Sequence, residues 1–205
     1  MKRFSRRAMF ATAGTLAAGT VAAVTVTRKP QAPHIYTLAA GAAPEVEGVV
    51  LNPFSSIIPT DPPVAPAAAS LIDEAGVAHT LAEFAGKGLV INMWATWCVP
   101  CVAEMPALQT LAGKIASAGV LVLPMSSDRG GAAVVRKFYA AHHITGLPVW
   151  LDPKGAAAQA WGARGLPTTY IIDRKGLLRG KLEGGVDWAS DATVAGILKL
   201  VSAGP

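Results

Sequence analysis

The chain has 205 residues, 52% of them hydrophobic and 15% charged, which allows one domain with a buried core plus further segments and excludes global disorder. Its formal charge of +5 is local: six of the 18 Lys and Arg stand in the first thirty residues, and the remaining 12 face 13 acidic residues. The remainder is nearly neutral, so no basic face for phosphates and no nucleic-acid partner is expected.

Residues 1–29 open with Lys2, Arg3, Arg6 and Arg7, continue uncharged from Ala8 to Thr27, and close on Arg28 and Lys29. An apolar run of that length just crosses a hydrocarbon core of about 30 Å. A buried core helix would need a polar face, and only Thr and Gly supply one. The excess of basic residues before the run predicts a cytoplasmic N-terminus, with the rest of the chain outside. Ser5-Arg6-Arg7 resembles a twin-arginine export signal, matched in part by Met9-Phe10. The reading favours a retained anchor; cleavage after Ala22 or Ala23 stays open. Residues 30–66 hold eight prolines and little periodicity, and are predicted to be an extended tether. The apolar patches Val49–Leu51 and Phe54–Ile58 are candidates for docking on the domain that follows.

From Ala67 to the end, strand and helix signals alternate. Leu71-Ile72 and Val77-Ala78 flank a turn at 73–76. Leu89–Trp94 is a continuous apolar run suited to a central strand. A helix is predicted from Cys98 to about Ala118 with Pro106 inside it, followed by a buried strand at Val120–Ser126. Ala132–His143 reads as a helix, Val149–Asp152 as a short strand and Ala156–Trp161 as a short helix. Thr168–Ile172 and Leu177–Leu182 form a hairpin about Asp173–Gly176, and Asp191–Val201 is a final amphipathic helix. The order predicts an α/β fold: a central mixed sheet flanked by helices.

The only two cysteines, Cys98 and Cys101, lie in WATWCVPC. A structural zinc site needs four ligands, and neither a second cysteine pair nor the four histidines supply them at ligand spacing, so no metal is assigned. As a permanent staple the pair closes a tiny loop, where a disulfide stabilises least. A redox pair has positive support. The strand ending at Trp94 delivers Cys98 to a helix start, where unpaired N–H groups and the macrodipole favour a thiolate. Cys98 is therefore expected to be the exposed nucleophile and Cys101, one turn in, the resolving thiol. Pro100 stiffens this turn without removing a needed hydrogen bond. Trp97 is expected to shield the thiol and offer a flat surface to a partner; Trp94 is expected to support the core. Trp161 and Trp188 are given core or surface roles.

LVINMWATWCVPC followed by Glu104-Met105-Pro106 resembles the active site of the thioredoxin superfamily, and most closely the membrane-anchored TlpA/ResA-like thiol–disulfide oxidoreductases. The resemblance spans Ala67 to Ser202. It implies a thioredoxin-like fold with a strand-helix insert at about 147–162, and a cis peptide bond at Pro167, facing the cysteines. Leu166 would then pair with substrate backbone, and Trp97, Val99 and Pro100 would meet the protein substrate. Thioredoxins usually carry a buried Asp where this chain has Asn92, so the proton role must lie elsewhere. Glu104 matches a glutamate near the disulfide in TlpA/ResA-like proteins and is the candidate relay to Cys101, with an exposed helix glutamate as the bland alternative. Pro106 matches a kink in the active-site helix.

The resemblance implies an exported reductase of cysteine pairs, fed by a membrane electron donor and requiring no cofactor beyond its sulfurs. Its partners would be copper-site assembly proteins of respiratory oxidase or apocytochrome c. The branch acting on apocytochrome c tends to carry a glutamate after the cis-proline, whereas Thr168-Thr169 stands here, which favours the copper-site branch. Two alternatives stay open: a non-catalytic copper-binding or scaffold protein holding metal on its two thiolates, and a thiol oxidase that differs in potential.

Overall fold

In the computed structural model, residues 52–202 are described; the segment 1–29 and the first part of the expected tether lie outside them. The elements are β1 (Ile58–Val64), β2 (Leu71–Asp73), β3 (Ala78–His79), β4 (Gly88–Trp94), α1 (Val99–Ile115), β5 (Val120–Ser126), α2 (Gly131–Ala141), β6 (Trp150–Leu151), α3 (Ala156–Ala160), β7 (Thr168–Ile172), β8 (Leu178–Glu183) and α4 (Asp191–Ser202). They build one eight-stranded sheet in the order β1-β8-β7-β4-β5-β6-β2-β3. β4 runs parallel to β5 and antiparallel to β7, so the sheet is mixed, as the alternation of signals predicts. β6 and α3 stand between α2 and β7, where the insert was expected. Among the described residues no helix is long and apolar enough to cross a membrane.

Alternation along β4 divides the core. Leu89, Ile91 and Met93 join a cluster with Leu71, Met125, Ala157 and Tyr170 on one face. Val90 and Trp94 point to the other face, where they pack with Leu108 and Leu111 of α1, Phe138 of α2 and Ile197 of α4. Asn92 is in phase with Val90 and Trp94, and so the strand aims a polar amide at the helix-covered face. Gly88 lets α4 close on the sheet: a Cβ there would lie 2.8 Å from Val201 Cβ.

The tether prediction fails from residue 52 onward. β1 pairs antiparallel with β8, Ile58 opposite Lys181 and Val64 opposite Leu178, and becomes an edge strand. Its prolines at 59, 62 and 63 hid it, because proline cannot donate to a ladder; an edge strand tolerates this, as its outer side has no partner to satisfy.

Candidate active site

β4 ends at Trp94 and the chain turns once before α1. Cys98 N–H donates to Ala95 O at 3.1 Å, and Cys98 O accepts the Val102 N–H at 3.0 Å, so Cys98 is the N-cap residue, with extended backbone (φ −89°, ψ 102°). Val99 and Pro100 are the first two helical residues, and no acidic side chain stands in the first turn. Pro100 has its missing N–H where a helix needs none. Pro106 sits within the continuous helix Val99–Ile115, so the helix runs through the expected kink position.

The turn is latched from the loop that follows β5. Asp128 is buried and accepts from Thr96 N–H at 2.9 Å, Thr96 Oγ1 at 2.7 Å and Ser126 Oγ at 2.7 Å. Ser127 N–H also donates to Trp94 O at 2.9 Å. Trp94 itself is buried and stacks parallel to Tyr139, with Phe138 tilted beside it, the core role expected of it.

Cys98 and Cys101 are joined by a disulfide, with their Cα atoms 5.2 Å apart. Cys98 is 6% exposed and Cys101 not at all. Cys98 is thus the less covered of the two, but in the disulfide it is mostly covered, where an exposed sulfur was expected. Exposure falls instead on its neighbours: Trp97 is 69% and Val99 59% exposed, two large apolar side chains beside the disulfide. The Leu166–Pro167 bond is cis. Thr168 pairs with Met93, so Pro167 lies one step beyond, at the end of the sheet from which the cysteine turn departs. Leu166 is half-buried and packs against both apolar clusters.

Glu104 has no exposed surface. It lies on the buried stripe of α1, with Cys101, Leu108, Leu111 and Ile115. Its Oε1 accepts from Asn92 Nδ2 at 2.8 Å, and its Oε2 accepts from Val186 N–H at 3.0 Å and Trp188 Nε1 at 2.8 Å. Asn92 Nδ2 also donates to Thr169 Oγ1 at 2.9 Å. Burial pushes the Glu104 carboxyl up to about 7, against the downward pull of the Val186, Asn92 and Trp188 donors. A group that titrates near neutrality thus sits one turn from Cys101 on the same helix face.

The structure therefore brings together Cys98, Cys101, Trp97, Val99, Pro100 and Glu104 on α1 and the turn before it, and sets Leu166 and Pro167 at the same end of the sheet. Sequence reasoning missed Asp128, Val186 and Trp188. Trp188 is a core residue, as allowed, but its indole N–H is a ligand of the carboxylate. A signal for the site of Glu104 existed in the spacing of the buried positions; none marked its partners Val186 and Trp188, which lie 82 and 84 residues away.

Residues 64–181 match the family described as AhpC/TSA. Thiol-disulfide oxidoreductase ResA of Bacillus thuringiensis subsp. konkukian is 34% identical over 51% of this chain and 59% of its own length. Thioredoxin-like protein YneN of Bacillus subtilis is 35% identical over 54% of this chain and 64% of its own. The alignments thus span less than two thirds of these relatives. The secreted thiol-disulfide isomerase of Corynebacterium glutamicum has the same fold, with a TM-score of 0.61 at 20% identity, over 72% of this chain and 93% of that one.

Proposed function

This chain belongs to the AhpC/TSA family, as a ResA-like member of the thioredoxin superfamily, and from that premise we propose that it is a thiol–disulfide oxidoreductase that reduces cysteine pairs in exported proteins. The observation that carries this reading is the Cys98–Cys101 disulfide at the start of α1 with a buried, near-neutral carboxyl one turn away. In the reduced protein the Cys98 thiolate, favoured by the helix N-terminus, attacks a substrate disulfide and forms a mixed disulfide, releasing one substrate thiolate. The Cys101 thiol gives its proton to Glu104 and attacks Cys98 Sγ. That displaces the second substrate thiolate and leaves the disulfide present here. Two electrons pass from the cysteine pair to the substrate, and a membrane electron donor returns them.

Trp97 and Val99 supply an apolar landing surface, with Pro100 and Leu166 beside it and Pro167 at the strand end. The proposed substrates are copper-site assembly proteins of respiratory oxidase or apocytochrome c, with Thr168-Thr169 favouring the former. The proposed location is the periplasmic side of the inner membrane, held by the segment 1–29. In an insulin-reduction assay driven by dithiothreitol, Cys98→Ser should fall to the uncatalysed rate. Cys101→Ser should retain substrate as a mixed disulfide on Cys98. Full reductase activity in Cys98→Ser would end this reading.

A further inference from the structure

The chain enters β1 through a strap, residues 52–57, whose first residue pairs with the loop between β8 and α4. Asn52 N–H donates to Gly185 O at 2.7 Å and Asn52 O accepts the Asp187 N–H at 3.3 Å, a parallel bridge centred on Val186. Asn52 Nδ2 adds a bond to Glu183 O at 3.3 Å. In a parallel bridge the two flanking residues make the bonds, so the central residue's own N–H points the other way. Here that other way is inward, to Glu104 Oε2. Two residues on, Trp188 Nε1 reaches the same oxygen. The same loop is tied to the strand end of Pro167, whose O accepts the Gly184 N–H at 2.9 Å, and to α4 through Thr193 Oγ1, which donates to Asp187 O at 2.7 Å.

The strap is anchored by its side chains as well. Phe54 lies over Gly196 of α4, where a Cβ would stand 2.3 Å from its ring, so only glycine admits it. Ile57 lies similarly close to Gly180 of β8. The backbone bridge at Asn52 is thus held in place from beyond the loop it orders.

Building on the exchange reaction above, we propose that Asn52 is a positioning residue for the proton carried by Glu104: its backbone bridge to Gly185 and Asp187 aims the Val186 N–H and keeps the Trp188 indole on the carboxylate. The groups that donate to this carboxylate are Asn92 from β4 and Val186 and Trp188 from the loop, and Cys101 lies one turn back on the same buried stripe of α1. The loop's own acid, Asp187, is exposed. The Lys114–Asp191 pair joins α1 to α4 about three turns further along. With the strap loosened, the two loop donors weaken while the apolar surroundings remain, and the neutral acid is favoured.

The test is a carboxyl NMR titration of the full-length chain labelled with 13C-carboxyl glutamate, the Glu104 signal being identified by its loss in Glu104→Gln. Asn52→Pro removes the donor to Gly185, and Phe54→Ala removes the ring anchor while keeping that donor. Trp188→Phe deletes one carboxylate donor directly and calibrates the response. The Glu104 midpoint should rise by roughly one pH unit in Asn52→Pro, as for loss of a charge-assisted hydrogen bond, and by less in Phe54→Ala. If Asn52→Pro does not fold, Phe54→Ala carries the comparison. A midpoint unchanged or lowered in the strap variants, while Trp188→Phe raises it, overturns the assignment of Asn52. Unaltered insulin reduction and pH profile in Glu104→Gln would overturn instead the proton-carrier reading beneath it.

Discussion

A carboxyl group with no exposed surface and three N–H donors aimed at it is held between two pulls. Burial favours the neutral acid and the donors favour the anion; burial wins, which leaves Glu104 titrating near 7. Because its folded value lies above the ordinary carboxylate range, the protein binds this proton more tightly folded than unfolded. The associated stability is present below about pH 4.5 and is lost as pH rises through about 7, a change on the order of 3 kcal/mol. Glu104→Gln should remove that slope. The measurement is the difference between wild-type and variant urea stabilities across this range, since His79, held up by Glu83 and then Asp73, titrates in both. A difference that does not vary with pH would contradict the assignment. The burial of Glu104 was legible in the spacing of Cys101, Glu104, Leu108, Leu111 and Ile115, which fits one helix face. Its loop donors were not: an indole N–H and a backbone N–H far along the chain meet it only once β4, α1 and the loop before α4 have packed.

Among the elements, the cysteine turn depends on an acid in the loop just after β5. Asp128 satisfies the Thr96 N–H and two hydroxyls from a buried position, so its removal leaves three donors, one of them on the buried Ser126, without their acceptor. Asp128→Ala should cost about 2–4 kcal/mol in denaturant unfolding and slow disulfide exchange by loosening the approach to Cys98. A loss below about 0.5 kcal/mol, the range of ordinary surface changes, would show the latch to be dispensable. The strands β4, β5, β7 and β8 and the helices α1, α2 and α4 were readable from apolar runs and helical spacing. β1 was not, because Pro59, Pro62 and Pro63 erase the usual strand signature and its one paired side is set by β8.

For the whole molecule, the expected division at residue 67 gives way to a folded unit that includes residue 52. A chain beginning at residue 67 would lack β1 and the strap, exposing the edge of β8 and the seat of Phe54 on Gly196. It should melt well below a chain beginning at residue 52 and aggregate more readily; equal melting temperatures would show that β1 and the strap add nothing to the fold. The proposed exchange requires that in the reduced protein Cys98 be reachable and reactive while Cys101 stays covered. Alkylating the reduced, full-length protein with iodoacetamide across neutral pH, with each cysteine quantified by mass spectrometry, tests it most directly. Cys98 should react well below the free-thiol pKa of about 8.5 while Cys101 stays protected; a Cys98 that stays unmodified, or two cysteines modified alike, would contradict the account.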